Sequence, residues 1–142
     1  MRFVDASVFF HALLKPRREL QAHEIQMKKS AQKIVQRINQ GEKVGITAVQ
    51  ISEVANLLES HRSSETARKL EIFLIVSPNI KTYSVTKNNL IEACKVVEDY
   101  KNNKIGLSDS LSYVVMNNHH IKEIYSFDKH FDVFNGIERV IE

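Results

Sequence analysis

Short apolar runs alternate with longer amphipathic segments along this chain, and that alternation is the strongest constraint on its fold. Residues 2–5 and 43–46 are brief and mostly apolar, as expected of strands that are buried on both faces. Between them, residues 22–40 carry apolar side chains at helical spacing, and Gly41 follows as a C-terminal stop. The alternation predicts an α/β fold of three layers, α/β/α, around a central, mostly parallel sheet of four to five strands.

The rest of the chain continues this pattern. Thr47 and Gln50 match a capping box that opens a helix running to about Ser60. The other expected elements are a helix capped by Ser7 that runs to Leu14 and is ended by Pro16, a helix over 64–75, strands over 80–85, 121–127 and 139–141, and helices capped by Thr86 and Ser108. Because no repeat or Pro/Gly-rich linker interrupts them, we expect a single domain over residues 1–142.

The composition is that of a globular protein, with 43% hydrophobic and 26% charged residues. The net charge of +3 is compatible with a nucleic-acid partner but is weak evidence for one. The one cysteine, Cys94, has no internal disulfide partner, and its place on an apolar helix face predicts a buried thiol. No signal-peptide pattern or transmembrane stretch is present in the sequence, so we expect a cytoplasmic protein without a membrane partner.

Four acidic residues lie at element boundaries that are far apart in the sequence. Asp5 and Asp128 end the first and last long apolar runs, whereas Glu53 and Asp109 lie near the starts of two helices. In a parallel sheet, strand ends and the following helix starts meet at one edge, where ligands bind. Converging carboxylates repel one another unless a cation is present, and oxygen ligands favour Mg2+ or Mn2+. The pattern therefore predicts a metal-dependent site acting on phosphate.

Each of these acids also has a purely structural interpretation. Asp5 can cap the helix after the first strand, and Glu53 can be a solvated helix residue. Asp109 suits the helix dipole in a first turn, and Asp128 can begin a turn. The case for a metal site rests on the four acids taken together rather than on any one of them.

Four local motifs carry a resemblance to a known family. They are Phe3-Val4-Asp5-Ala6-Ser7, Ser52-Glu53-Val54-Ala55, Gly106-Leu107-Ser108-Asp109-Ser110 and Ser126-Phe127-Asp128-Lys129-His130-Phe131. Their order and the chain length resemble the PIN-domain ribonucleases, especially the VapC-type toxins of prokaryotic toxin–antitoxin pairs. The third motif departs from many relatives, which have Ala or Cys where this chain has Ser110.

This resemblance implies a Mg2+- or Mn2+-dependent ribonuclease whose cofactor is one or two of these ions. It implies that the metal is held by Asp5, Glu53, Asp109 and Asp128. It also implies that Ser7 and Ser126, each two residues from a ligand, orient the acids or bind metal-associated water. The implied partners are an RNA substrate and a cognate antitoxin protein.

The first helix and the histidines leave further alternatives open. Phe9, Phe10, Leu13 and Leu14 exceed what one short helix usually buries, so we expect either core packing or contact with an antitoxin or a second copy in a homodimer. The pair His119-His120 suits the end of a helix, and His130 shows no ligand spacing.

Two other functions compete with the ribonuclease. A receiver-type signalling module needs an acid pair after strand one and an acceptor Asp after strand three, but Asp5 stands alone and position 53 is a Glu within a helix. A catalytically silent PIN scaffold that binds RNA or a protein partner is the second alternative. The presence of all four acids argues against it.

Overall fold

Five parallel strands form the central sheet of this chain, which a computed structural model describes over residues 1–13, 18–61 and 64–142. The strands are β1 (Arg2–Val4), β2 (Val44–Thr47), β3 (Ile80–Tyr83), β4 (Glu123–Tyr125) and β5 (Glu138–Val140). The helices are α1 (Ala6–Leu13), α2 (Ala22–Asn39), α3 (Ala48–His61), α4 (Ser64–Val76), α5 (Lys87–Asp99) and α6 (Leu107–Asn118), with short 3-10 helices at Lys101–Asn103 and Lys129–Val133. The expected helix end at Leu14 and Pro16 lies outside the described residues.

The strand order β3-β2-β1-β4-β5 places a topological switch between β1 and β4. Every neighbouring pair of described strands is parallel, so the sheet expected to be mostly parallel is parallel throughout. The chain leaves β1 and β4 toward opposite sides of the sheet, which opens a crevice outside their carboxyl ends. Asp5 directly follows β1, and Asp128 follows β4 after a short turn.

Each face of the sheet has its own core because side chains alternate along β1. Val4 packs with α1 to α4 in a core that includes Phe9, which is fully buried. Phe3 points to the opposite face and packs with Met116 of α6. The predicted three-layer α/β/α fold is confirmed. Core packing is thus the role of Phe9, and Leu13 packs partly buried against the same core.

Two predicted serine caps were wrong because these hydroxyls bond to other elements. α1 begins at Ala6, and the Ser7 Oγ accepts a hydrogen bond from the Phe127 backbone N–H at 3.0 Å. α6 begins one residue before Ser108, whose Oγ accepts a hydrogen bond from the Gln50 side-chain amide at 3.2 Å. Both serines therefore tie separate elements together at the carboxyl edge of the sheet.

Three strands are shorter than predicted, the first being β1, which ends at Val4 rather than at residue 5. β3 ends at Tyr83 rather than at residue 85, and β4 covers Glu123–Tyr125 rather than residues 121–127. After β4 the backbone turns, because the Asp128 N–H donates to the Ser126 Oγ at 3.0 Å. This turn swings Asp128 toward the crevice.

Cys94 is exposed, so the prediction of a buried thiol was wrong. The buried side of α5 is centred on Ala93, with Val96 packed beside it. Leu90, placed on the core face by the sequence pattern, is 38% exposed. Apolar side chains cover a wider part of α5 than the part that packs against the rest of the protein. The predicted buried face was therefore displaced by about one residue from the observed one.

The longest described helix, α2, is amphipathic. Ala31, Ile34 and Ile38 are buried against the sheet, whereas Lys29 and Lys33 are exposed. None of the helices in the described ranges is both long and apolar enough to cross a membrane.

Candidate metal centre

A cleft of about 510 Å³ opens at the carboxyl edge of the sheet, beside the switch between β1 and β4. Four different elements contribute its carboxylates. The cleft is lined by Asp5, Ala6, Ser7, Phe10, Glu53, Leu57, Gly106, Leu107, Ser108, Asp109 and Asp128. The fold thus brings together all four acids that were singled out in the sequence.

Asp5 lies at the base of the cleft and is buried, with 4% of its surface exposed. Its backbone N–H continues the β1–β4 ladder by donating to the Tyr125 carbonyl at 2.9 Å. Burial raises the pKa of the Asp5 carboxyl, while hydrogen bonds from Ser7 and Ser126 lower it and the charge of Asp128 raises it further. The backbone of the central strand therefore fixes the position of this carboxylate.

The two predicted supporting serines lie between Asp5 and Asp128. The Ser126 hydroxyl donates to Asp5 Oδ2 at 2.9 Å and accepts from the Asp128 N–H at 3.0 Å. The Ser7 N–H donates to the same Asp5 oxygen at 3.3 Å, and the two serine Oγ atoms are 3.3 Å apart. One hydroxyl thereby connects the carboxylate of one strand end to the backbone of the next.

Glu53 is exposed on α3, one and a half turns beyond the end of β2. Partial burial of its carboxyl raises the pKa, a hydrogen bond from Ser108 lowers it, and the charges of Asp5 and Asp128 raise it. The interaction with Asp5 and Asp128 indicates that Glu53 shares their electrostatic environment, although Glu53 lies on the helix that follows a different strand, β2.

The environment of the cleft also raises the pKa of Asp109 far above its ordinary value. It lies in the first turn of α6 with 17% of its side chain exposed. Burial, followed by the charges of Asp5, Asp128 and Glu53, raises its pKa to about 7. A helix N-terminus alone favours the carboxylate form, so burial and the neighbouring acidic charges together outweigh the helix dipole here.

Asp128 caps the 3-10 helix that follows β4, since its Oδ1 accepts a hydrogen bond from the His130 N–H at 2.9 Å. The turn predicted as the structural alternative for Asp128 is therefore present. The same side chain also lines the cleft. Capping uses one oxygen of the carboxylate and leaves the residue available to a ligand through the other.

Gln50 is a supporting residue that the sequence analysis missed. The Thr47 hydroxyl does accept from the Gln50 N–H at 3.1 Å, as a cap would. The Gln50 side chain, however, is fully buried; its Oε1 accepts from the Ala6 N–H at 2.8 Å and its Nε2 donates to Ser108. Gln50 thus holds the start of α1 against the start of α6.

A sequence signal for Gln50 did exist. It stands four and eight residues before Val54 and Leu58, which are buried on α3. A glutamine in register with a buried helical stripe must find hydrogen-bond partners inside the protein. The capping-box pattern already explained a glutamine at this position, so the prediction of a buried, hydrogen-bonded side chain was not made.

The donor set fits a hard divalent cation. No lysine or arginine within the described parts of the chain forms an ion pair with any of the four acids; their one ion-pair partner there is His130. Carboxylate oxygens are the ligands that Mg2+ and Mn2+ prefer. A positive charge in the cleft would relieve the repulsion that raises the pKa of Asp109.

Solved structures of similar fold come from toxin systems. The toxin VapC20 of Mycobacterium tuberculosis, described as cleaving the sarcin–ricin loop, matches with a TM-score of 0.75 and 20% identity, covering 97% of this chain and 98% of that one. A toxin–antitoxin complex from Klebsiella pneumoniae matches with a TM-score of 0.63 and 9% identity, covering 97% and 96%. At these identities the likeness establishes the fold.

Sequence comparison gives the family. A search of curated proteins returned no match. The PIN-domain family matches residues 2–137, a range that contains strands β1 to β4 and every acid of the cleft. The resemblance noted in the four motifs is confirmed: this chain belongs to the PIN-domain family.

Proposed function

We propose that this protein is a Mg2+- or Mn2+-dependent endoribonuclease that hydrolyses RNA phosphodiester bonds and serves as the toxin of a toxin–antitoxin pair. One observation carries the proposal: Asp5, Glu53, Asp109 and Asp128 converge in one cleft of a PIN-domain chain, without lysine or arginine partners among the described residues. Such a cleft repels a phosphodiester unless it holds cations. The site is suited to metal-assisted hydrolysis rather than to binding RNA by itself.

The four carboxylates would hold the cation, and the surrounding groups would fix their orientation. When bound, the cation supplies positive charge to the phosphate and lowers the pKa of water at the site. Ser126 orients Asp5, while Gln50 and Ser108 hold the helix starts that present Glu53 and Asp109. Preorganisation of this kind lets the electrostatic stabilisation act without rearrangement during the reaction.

An antitoxin is the proposed protein partner, acting with the toxin in the cytoplasm. The support is the fold shared with a chain of the Klebsiella toxin–antitoxin complex. We expect the product of a short reading frame directly upstream to co-purify with this protein and to suppress its ribonuclease activity. Free activity in a purified equimolar mixture would contradict this assignment.

A homodimer is the proposed assembly. Ile72, Ile75 and Val76 on α4 are each more than 60% exposed, and clustered exposed apolar side chains mark interaction surfaces. Sedimentation is expected to show a dimer that Ile75→Lys converts to a monomer, whereas Lys69→Glu on the same helix leaves it intact. A monomeric wild-type protein would contradict the proposal.

The ribonuclease proposal is tested by cleavage of RNA with purified protein. Asp5→Asn keeps the size of the side chain but removes its charge, and we expect cleavage to be lost both in this variant and in wild-type protein treated with EDTA. Asp99→Asn, the same change at an exposed position on α5, is the matched control. Full activity of Asp5→Asn, or activity that survives EDTA, would sink the proposal, and absence of Mn2+ binding would favour the silent scaffold.

A further inference from the structure

His130, which has no ligand spacing in the sequence, lies against the acidic cleft in the structure. The Asp128 carboxylate caps the 3-10 helix by accepting from the His130 N–H. The turn that results places the His130 side chain beside the same carboxylate. The imidazole Nδ1 is 3.2 Å from Asp128 Oδ1 and 3.9 Å from Asp109 Oδ2. Two acids from separate elements therefore face one ring nitrogen.

The distances among these three side chains suit coordination of a single ion. Asp109, Asp128 and His130 each offer a ligand atom, and these atoms lie within 4.8 Å of one another. Ligands about 2.1 Å from one metal are at most about 4.2 Å apart. Both nitrogen–oxygen distances already satisfy that limit, so only small side-chain movements would close the group around an ion.

We propose that His130 is a nitrogen ligand of the metal centre together with Asp109 and Asp128, and that the mixed donor set makes this centre prefer Mn2+ or another first-row transition ion to Mg2+. The proposal rests on the proposed function and deepens it. Mg2+ takes oxygen ligands and keeps its waters, whereas imidazole suits transition ions. The His130 side chain is half exposed, so a hydrated ion can reach the imidazole from solvent.

The competing explanation for the same geometry is an ion pair. In that arrangement a protonated imidazole would neutralise the two carboxylates and would compete with any cation for them. Removal of His130 would then strengthen the binding of Mg2+ and Mn2+ alike. Removal of a nitrogen ligand should instead weaken Mn2+ binding and leave Mg2+ binding almost unchanged, so the two explanations predict opposite results.

The test is isothermal titration of Mn2+ and of Mg2+ into the intact wild-type protein, His130→Gln and His23→Gln. The last variant is a matched control, since His23 is exposed on α2. We expect His130→Gln to lose about tenfold or more in Mn2+ affinity, with a change in Mg2+ affinity below about threefold. The control should match the wild type with both ions.

Pulsed electron paramagnetic resonance of the Mn2+-loaded proteins supplies a second readout. Nitrogen coupling to Mn2+ is expected in the wild type and in His23→Gln, and it should vanish in His130→Gln. Mn2+ binding that depends on Asp5 but lacks nitrogen coupling, or that His130→Gln leaves unchanged, overturns this inference alone. A wild-type protein that binds neither ion overturns the proposed function and this inference with it.

Discussion

The two ends of the sheet both gather charged side chains, but they balance them differently. At the amino end, Arg2 pairs with Glu42 at 3.4 Å and with Glu123 at 3.3 Å, and Arg37 lies 3.9 Å from Glu42. The Tyr125 hydroxyl joins this group by accepting from Arg2 and donating to Glu42, both at 2.7 Å. Two arginines and two glutamates therefore balance one another in charge at this end.

The carboxyl end lacks that balance. Four carboxylates meet there, and only His130 among the described residues forms an ion pair with any of them. Burial and mutual repulsion raise the pKa of Asp109 to about 7, whereas at the other end the hydrogen bond to Tyr125 and the charge of Glu123 raise the pKa of Arg2 and stabilise its charge. The difference indicates that the amino end serves the fold, and it supports the proposal that the carboxyl end binds a cation.

The largest expected effect is a difference in RNA cleavage between variants at the two ends of the sheet. Asp109→Asn should reduce RNA cleavage by about 1000-fold or more, equivalent to about 4 kcal/mol, because it removes the charge of a proposed metal ligand. Glu42→Gln removes a carboxylate from the opposite end and should alter the cleavage rate by less than about twofold. Initial rates on one RNA substrate measure both. Similar losses in the two variants would mean that the ends do not differ in function.

The next effect is the pH dependence of stability without metal. The pKa of Asp109 rises from 3.8 to about 7 on folding. The folded state therefore binds this proton more tightly than the unfolded state does. This contribution to stability is complete below pH 3.8 and is lost as the pH rises to about 7. In EDTA the free energy of unfolding should therefore fall by up to about 4 kcal/mol over that window. Urea denaturation at several pH values measures this fall. Asp109→Asn should reduce the fall without abolishing it, because the pKa values of Asp5 and Glu53 are also raised, and a flat wild-type profile would contradict the proposed crowding of acids.

A smaller effect concerns the support beneath the acids. Gln50→Leu leaves the buried Ala6 N–H without its acceptor, so we expect a loss of about 1–3 kcal/mol in the free energy of unfolding. Cleavage should also fall by about 10- to 100-fold, as for other supporting residues of metal sites. Gln32→Leu on α2, whose side chain donates to the Ala12 carbonyl at 3.4 Å, is the control. Unchanged cleavage in Gln50→Leu would remove Gln50 from the site.

The smallest effect sharpens the structural role of the amino end. Arg2→Met should cost about 1–2 kcal/mol of unfolding free energy, because Glu42 and the Tyr125 hydroxyl lose a partner. Its cleavage rate should remain that of the wild type. Arg68→Met on the exposed side of α4 controls for the loss of an arginine. A cleavage defect in Arg2→Met that stability does not explain would link the two ends.

The alternation of elements and the positions of the acids could be predicted from the sequence because both follow from local patterns. Asp5 and Asp128 each follow a predicted strand, and the carboxyl ends of parallel strands lie at the same edge of a sheet. The two acids were therefore expected at that edge. Ser126 and Ser7 were also expected beside the acids. These inferences required no knowledge of which side chain contacts which.

The remainder depended on contacts between distant segments. The Gln50 side chain bonds to residues 44 and 58 positions away in the sequence, and His130 gains its second acid from α6. Cys94 is exposed because α6 covers only the side of α5 centred on Ala93. No local sequence pattern specifies these contacts, because they depend on how whole helices and strands pack against one another.

The measurement that tests the central claim most directly is anomalous diffraction from crystals of the wild-type protein soaked in Mn2+, at a wavelength near the manganese edge. We predict at least one strong anomalous peak in the cleft, bounded by the carboxylates of Asp5, Asp109 and Asp128, and no such peak in Asp5→Asn crystals. No peak in the cleft at saturating Mn2+, or the same peak retained at full height in Asp5→Asn, would contradict the claim that these acids form a metal centre.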